Sequence, residues 1–537
     1  MNKLFTRLLE KRGLSEDFLN PKYDDLTPLS EFPDLKKAAS RIKAAVEKSE
    51  KILIYGDYDV DGITSTALLE EALLLSGVKH ENLSLMLPDR FIDGYGMSPR
   101  LVSRAKTDRP SLIITVDCGS RNFDIVEELN AEKIDIIITD HHECADTLPA
   151  ALAVINPKRK DFTSPEKLRD LAGVGVAFSL ARGLVEVGLL PNGQEKWLLD
   201  LVLIGTTCDS MRLTGENRIL GFYGVKVLEK TRRKGLKELI KRAGVTAITS
   251  ESIGFQIGPR LNAAGRLETA EIALNLLRTK SASTAAALAA ELELLNNKRR
   301  QEQRAATAEI LERGAKTDPV IIETGTWHEG ILGIVAGRLV EEYRKPSFVL
   351  AEVEDGILKG SGRSFGDFSL AAALKSAEDT IIGGGGHAAA AGVRLEKKNL
   401  EAFRNKINAY YQSLHLADQE RYLLKHPELD VENLADLSLD FLDHLSLLEP
   451  FGTGNEEPLF CLKNITIAET RRLGKDGNHL RLDVRGKDDK ILKCIAFFAP
   501  ENWFNLDPET PHNLLVRPVL NDFQGTRSAE ARLVDIL

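Results

Sequence analysis

Short apolar runs along this chain alternate with amphipathic stretches of helical period, and that alternation predicts its architecture. Beginning at Lys51, the run KILIY has the length and continuity of a strand buried on both faces. The acidic turn GDYDVDG follows, then ITSTALLEEALLLSG, a helical pattern closing at Gly77. Two more strands of the same kind are predicted at Ser111–Val116 and Lys133–Thr139, separated by the helical segment FDIVEELNAE. Such strand–helix alternation predicts an α/β fold built on a parallel sheet with helices on its faces. Residues 33–49 predict an amphipathic helix that packs an N-terminal arm, and QEKWLLDLVLIGTTC predicts a helix ending just before Asp209. From Ser281 to about Gly314 the chain is rich in Ala and Leu with no internal Gly or Pro, which predicts one connecting helix of roughly 50 Å. A second α/β unit is expected from about Asp318 to Leu414. Beyond it KNITIAETRRLG, HLRLDVRG and ILKCIAFF alternate with period two, as strands of a small barrel do.

The length of 537 residues is enough for three or four domains at roughly 150 residues each. A hydrophobic fraction of 43% with 28% charged residues excludes wholesale disorder. The apolar runs fall far short of the ~20 residues a membrane-spanning helix needs. The opening MNKLFTRLLEKRG is broken by charges and lacks the apolar core of a secretory signal. Cys118, Cys144, Cys208, Cys461 and Cys494 form no CxxC pair, against both a disulfide framework and a structural zinc site. These features lead us to expect a reduced, cytoplasmic, multidomain protein with no membrane association. A net charge of −9, from 71 basic and 80 acidic residues, excludes a uniformly basic nucleic-acid binder. It leaves room for a local basic groove and for a carboxylate cluster around metal ions.

The candidate chemistry lies at the ends of the first-domain strands. Asp57, Asp59 and Asp61 follow KILIY within one turn, Asp117 ends SLIITVD, and Asp140-His141-His142 ends DIIITDHH. One aspartate after a strand is most often a turn former or helix cap. Three acidic groups at successive strand ends converge on one crevice, because the carboxyl ends of parallel strands share an edge of the sheet. Clustered carboxylates repel unless a cation neutralises them, and imidazole adds a ligand suited to Mn²⁺ or another transition metal.

GDYDVDG, VDCG and TDHH resemble the successive motifs of the DHH phosphoesterase superfamily, whose fourth carboxylate falls on Asp209 in GTTCDSMRLTGEN. Here Cys208 and Met211 flank the aspartate where smaller residues are usual. IGFQIGPRLNAAGRL, WHEGILGIVAGRL, GSGRS, GGGGHAAAAG and LLEPFGTGNEEPLF narrow the resemblance to the RecJ branch, over about residues 20–530. The resemblance implies an N-terminal arm (1–50), a DHH catalytic domain (51–280), a connecting helix (281–316), a DHH-associated domain (317–416) and an OB-type barrel (417–537). It implies a single-strand-specific 5′→3′ exodeoxyribonuclease that releases 5′-mononucleotides, acting in DNA recombination and repair beside a single-strand-binding protein and a helicase. Two divalent ions, Mn²⁺ or Mg²⁺, would be held by Asp57, Asp59, Asp117, His141 and Asp209, with Asp117 bridging. Asp61 and His142 would be either further ligands or groups that orient water and substrate in catalysis. The alternative function is a DHH oligoribonuclease or cyclic-dinucleotide phosphodiesterase, for which a strand-binding barrel has no use.

By the same similarity Arg90, Arg266, Ser361 and Arg363 would hold the 5′-terminal phosphate and its neighbours, with His328, Arg260, Asn262 and His387 as further substrate contacts. Small residues flank Arg266 and Arg363, so a guanidinium fork there reaches a phosphate without obstruction; the plain alternative is a surface charge. GGGGH is either a flexible turn or a backbone that approaches a phosphate closely. NNKRRQEQR (296–304) is either a solvated helix face or the lining of a nucleic-acid channel. Phe497, Phe498, Trp503, Phe504 and Phe523 divide between base-stacking positions and barrel core.

Overall fold

The computed structural model describes residues 2–314, 316–416, 425–523 and 525–537. Five parallel strands open the fold: β1 (Ile52–Tyr55), β2 (Leu83–Met86), β3 (Leu112–Val116), β4 (Asp135–Thr139) and β5 (Ala153–Ile155), in the order β2-β1-β3-β4-β5. Their continuous apolar character has a direct cause. Ile52, Ile54, Leu112, Ile114 and Ile137 enter a core on one face, while Leu53, Tyr55, Ile113, Ile136 and Ile138 enter a second core on the other. The helix Val60–Leu75 starts three residues earlier than the apolar pattern alone suggests, because Asp59 caps it by accepting the N–H of Gly62 at 3.1 Å. It is buried on nearly every side, packed against the helices Gly173–Glu186 and Leu199–Cys208.

The helix Ala282–Glu312 ties this domain to the next. Its 31 residues correspond to about 46 Å, and Ser281 caps its N-terminus. Ala289, Leu292 and Leu295 pack into the first domain's core, whereas Ala306 and Ile310 pack into that of the second. The second sheet comprises β6 (Ile321–Gly325), β7 (Ser347–Glu354), β8 (Ile357–Arg363), β9 (Gly383–Gly386) and β10 (Ala390–Glu396), ordered β6-β7-β8-β10-β9. Only β6–β7 is parallel. GGGG is therefore neither a turn nor a loop but the exposed edge strand β9.

The last unit is a barrel of β11 (Leu429–Val431), β12 (Phe460–Leu473), β13 (His479–Arg485), β14 (Ile491–Ala496), β15 (His512–Phe523) and β16 (Thr526–Ile536). The order β11-β12-β13-β14-β16-β15 is closed by pairing of β12 with β15. The 14-residue β12 serves three neighbours, pairing Phe460–Leu462 with β11 on one side and giving Phe460–Ile465 to β15 and Thr466–Leu473 to β13 on the other. Among the described residues, no helix is long and apolar enough to cross a membrane.

The N-terminal arm is not one packing unit. Helix Leu35–Glu47 joins the first domain's core, but Leu4, Phe5, Leu8 and Leu9 of helix Lys3–Arg12 join the core of the barrel. Buried Arg218 fastens the barrel's entry segment to the first domain. It donates to the carbonyls of Leu447, Leu448 and Glu449 at 2.6–3.0 Å and to that of Phe18 at 3.0 Å.

Candidate active site

The strand-end aspartates and the histidine pair meet at the carboxyl edge of the first sheet. Three overlapping sets have ligand atoms within 4.8 Å of one another: Asp57, Asp59 and Asp117; Asp117, His141 and His142; and Asp61, His141 and Asp209. Asp117 and His141 each belong to two of them. Nε2 of His141 lies 3.2 Å from Asp117, 3.6 Å from Asp209 and 3.7 Å from Asp61. None of these approaches is aligned as a hydrogen bond, and Oδ1 of Asp57, Oδ1 of Asp117 and Nε2 of His141 are buried without a partner. A buried acceptor left unpaired costs about 1–3 kcal/mol, so this donor set fits a divalent cation better than it fits itself.

Backbone geometry enforces the crowding. Asp117 follows β3 in the left-handed region (φ 62°), with its N–H bonded to the carbonyl of Thr139 at 2.9 Å. A Cβ on Gly173 would fall 2.4 Å from Oδ1 of Asp117, so only glycine lets the helix Gly173–Glu186 begin here. That helix points its first N–H groups at Asp61, whose two oxygens accept from Gly173 at 2.6 Å and Val174 at 2.8 Å.

The electrostatics follow from burial and repulsion. Without a cation, burial and then neighbouring carboxylates push Asp57, Asp61 and Asp117 well above the usual range, and Asp209 up to about 7. Burial and the charge of His142 lower His141 to about 3, so its ring is neutral at physiological pH. His142 behaves oppositely: burial works against its charge, but the hydrogen bond to Asp140 holds its pKa up to about 9. Burial likewise disfavours ionised Asp140, yet the His142 contact keeps it below the ordinary carboxylate range.

A second cluster, of cations, adjoins the first. Arg90 stacks over Tyr58, between Asp57 and Asp59, at 4.9 Å from the ring centroid. Arg266, on helix Gly258–Leu267, donates to the carbonyl of Gly330 at 3.3 Å; a Cβ on Gly330 would fall 1.8 Å from the Arg266 carbonyl, so only glycine permits this contact between the domains. Arg363 ends β8 and donates to Ser361 Oγ at 3.2 Å and to its neighbour's carbonyl at 2.8 Å. Burial, then the charges of Arg90, Arg299 and Arg363, lower Arg266 to about 9. None of Arg90, Arg266 and Arg363 has a carboxylate ion-pair partner among the described residues. His328 sits at the same junction, its ring 5.5 Å from that of Phe91 and its Nδ1 accepting from Gly330.

The other expected contacts fall elsewhere. Arg260 is ion-paired with Glu293 of the connecting helix at 2.5 Å and donates to the Gln256 carbonyl, a structural arrangement that occupies its fork. Asn262 lines a separate cleft towards the barrel. His387 is exposed at the end of β9. Cys118 is buried, and Cys208 is half-buried beside the acidic cluster. In the barrel, Phe497 and Phe498 are exposed, Trp503 and Phe504 pack on the core, and the side chain of Phe523 lies outside the described residues. Three neighbours of the site were not assigned from sequence. Asp140 braces His142, the hydroxyl of Tyr95 lies 2.8 Å from His142 Nδ1, and Arg299 adds its charge to the arginine cluster. Tyr95 shares the segment PDRFIDGYG with Arg90, and Arg299 lies in NNKRRQEQR, so the motifs held the signal without the role.

Comparison with known proteins agrees with this arrangement. Models of the DHH family N-terminal domain, the DHHA1 domain and the RecJ OB domain match residues 51–206, 317–413 and 430–535. The single-stranded-DNA-specific exonuclease RecJ of Salmonella typhimurium is 33% identical over 561 residues, covering 99% of this chain and 95% of that protein. The chain belongs to the RecJ family. RecJ of Bacillus subtilis is 34% identical over 544 residues, covering 99% of this chain and 67% of that protein. The structure of RecJ from Thermus thermophilus in complex with Mn²⁺ superposes with a TM-score of 0.83 at 31% identity, covering 100% of this chain and 76% of that one. Its Mg²⁺ complex gives a TM-score of 0.79 at 29% identity, with 100% and 74% covered. The three-unit order, parallel-sheet domain, DHHA1 domain and OB barrel, is thus that of RecJ proteins.

Proposed function

We propose that this chain is a metal-dependent exonuclease that degrades single-stranded DNA from the 5′ end to 5′-mononucleotides, in DNA recombination and repair. The observation that carries the reading is the juxtaposition of two charge wells of opposite sign. One is a carboxylate–imidazole cluster with orphaned buried acceptors; the other is a group of arginines, Arg90, Arg266 and Arg363, lacking carboxylate partners among the described residues. The named activity of its RecJ relatives and the Mn²⁺ and Mg²⁺ complexes of the Thermus thermophilus protein support it.

Asp57, Asp59, Asp117, His141 and Asp209 would hold the ions, Mn²⁺ or Mg²⁺, with Asp117 shared between them. Two divalent ions bound there supply a nucleophile at neutral pH and neutralise charge at the phosphorus during in-line displacement. Asp61, fixed by two backbone N–H groups, orients the cluster from the side of helix Gly173–Glu186. His142, its Nδ1 engaged by Asp140, has Nε2 for proton exchange with water or leaving oxygen. Arg90, Arg266, Ser361 and Arg363, with His328, hold the terminal phosphate; charge favours a terminal phosphate over an internal one, and the 5′ polarity comes from the family. The catalytic unit (51–280) and the DHH-associated unit (317–416), set by the connecting helix (281–316), shape the cleft. The barrel unit (417–537) grips the strand, with a single-strand-binding protein and a repair helicase as partners in the cytoplasm.

Digestion of 5′-labelled and 3′-labelled strands with and without Mn²⁺ tests the reading. Early release of the 5′ label, only with metal and only from single strands, is expected. First release of the 3′ label would overturn the polarity, and metal-independent or absent digestion would overturn the activity.

A further inference from the structure

The segment Asp89–Met97, which follows β2, touches three parts of the site that are distant in sequence. Arg90 stacks over Tyr58 at 4.9 Å, Phe91 meets the ring of His328 in the second domain at 5.5 Å, and Tyr95 lies over His142 at 4.8 Å between ring centroids. The first half of the segment is closed on itself. Asp93 donates its N–H to the Asp89 carbonyl at 2.8 Å, its Oδ2 accepts the N–H of Asp89 at 2.7 Å, and Oδ1 of Asp89 accepts from Phe91 at 2.8 Å. The far end is pinned separately. The Tyr55 hydroxyl donates to the Gly96 carbonyl at 3.0 Å, and Asn122 bonds the N–H and the carbonyl of Met97, both at 3.2 Å. Tyr95 stands between the two halves, 49% exposed and flanked by Gly94 and Gly96 in left-handed backbone (φ 72° and 90°).

The Tyr95 hydroxyl occupies a junction whose protons are determined by its neighbours. Its oxygen is 2.8 Å from Nδ1 of His142 and 3.4 Å from the backbone carbonyl of Asp117. Nδ1 carries one proton at most, and ionised Asp140, an acceptor only, claims it at 2.9 Å. A hydroxyl cannot donate to a nitrogen that already holds a proton. The Tyr95 oxygen is therefore a second acceptor for that N–H, and its own proton points to the Asp117 carbonyl. The phenol ties the imidazole to the backbone of a metal-cluster aspartate and leaves Nε2 available. With half of the ring exposed, the tie depends on where the segment holds Tyr95 rather than on burial.

We propose that Tyr95 is a positioning residue for His142, and that it links the seat of the terminal phosphate to the reaction step. Arg90 belongs to the closed half of the segment, which is held to its surroundings by the two ring contacts and by the ion pair of Asp93 with Arg100 at 2.6 Å. A phosphate shared by Arg90, Arg266 and Arg363 fastens that half to the second domain. Tyr95 is then fixed from both sides, and His142 keeps one orientation. Without the phosphate the flanking glycines let the ring swing away, and Asp140 alone holds Nδ1. Coupling of this kind is a free energy shared between two sites. The inference rests on the exonuclease reading and deepens it: the end group acts on turnover, and not only on affinity.

The test compares wild type with Tyr95→Phe on single strands that differ only in carrying a 5′-phosphate or a 5′-hydroxyl. Mn²⁺ is saturating, and kcat and KM are followed separately. The variant keeps the ring and loses both hydrogen bonds of a half-exposed hydroxyl, so its melting temperature should be unchanged. On the phosphorylated strand its kcat should fall by roughly tenfold or more, the usual cost of freeing a functional histidine, while KM changes by less than about twofold. On the hydroxyl strand the fall in kcat should be several times smaller. A kcat on the phosphorylated strand within about twofold of wild type overturns the inference. So does an equal loss on both strands, which would make Tyr95 a local brace with no link to the end group. Wild type that digests neither strand would overturn the exonuclease reading instead, a result visible before any variant is made.

Discussion

Nδ1 of His142 lies 2.9 Å from Oδ1 of Asp140, and the same oxygen accepts the backbone N–H groups of His141 and His142. Oδ2 accepts from the N–H of Ser120 at 2.9 Å, so this buried carboxylate faces donors on every side. It braces the histidine pair and belongs to none of the three candidate metal-holding groups among the described residues.

Asp140→Asn turns one of those acceptors into a donor. Whichever way the amide lies, an NH₂ group meets an N–H, a buried mismatch worth about 1–3 kcal/mol. Loss of a brace on a functional histidine typically costs 10–100-fold. We expect kcat to fall by about that factor, with a lower melting temperature and a smaller change in affinity for single strands. A normal kcat in the variant would show that packing alone orients His142.

Asp117→Asn keeps a side chain that tolerates the left-handed backbone at this position while removing its charge. Turnover should be abolished. The chelator-treated variant should melt no lower than chelator-treated wild type, because burial and four neighbouring carboxylates already disfavour the lost charge. Wild type should gain stability on addition of Mn²⁺, by about 2.7 kcal/mol at a hundredfold excess over Kd, and the variant should gain far less. An equal gain in both proteins would remove Asp117 from the metal site.

Stability of the chelator-treated protein should fall between pH 6.5 and 9. The Asp140 contact, acting against burial, raises His142 from about 6.5 in the unfolded chain to about 9 in the native state. Its contribution is therefore complete below pH 6.5 and is lost as pH rises through 9. Burial raises Asp57, Asp61 and Asp117 as well, and their ionisation with rising pH acts in the same direction. The depressed His141 acts the other way, but only below about pH 6.5. Thermal melts across this range, with and without Mn²⁺, check the slope; a rise in stability with pH in the metal-free protein would contradict it.

Arg363→Ala should flatten the preference for 5′-phosphorylated over 5′-hydroxyl strands by roughly tenfold or more, the value of one charge-assisted hydrogen bond at ~1.5–3 kcal/mol. Its fork reaches Ser361 and one carbonyl, leaving donors for an anion. Both substrates measured on both proteins, alongside melting temperature, separate phosphate binding from support of the domain. A variant with lower stability and an intact preference would assign Arg363 to structure.

The sequence displays the acidic cluster because its geometry is local. Each of Asp57, Asp59, Asp61, Asp117 and Asp140 follows a buried strand by a few residues, and parallel strands bring those ends together whatever the rest of the chain does. The arginines are different: Arg90, Arg266 and Arg363 come from three segments across two domains, and only the resemblance to RecJ sequences grouped them. The fate of Arg260 was illegible, since its partner Glu293 lies 33 residues away on another helix. So was the split of the N-terminal arm, because an amphipathic helix carries no label for the core it will enter. Strands β15 and β16 were missed where Pro518 and scattered charges blur the period of two.

The placement of helix Lys3–Arg12 on the barrel has a consequence for how the protein is made. The ribosome produces this helix roughly 400 residues before the strands it packs against, a delay on the order of 20–80 s at 5–20 residues per second. Ten residues are too few to hold a helix unaided, so Leu4, Phe5, Leu8 and Leu9 wait as an exposed greasy segment while both α/β domains take shape. The barrel matures only when these two distant segments meet, which makes the segment Lys3–Arg12 a natural client for chaperones.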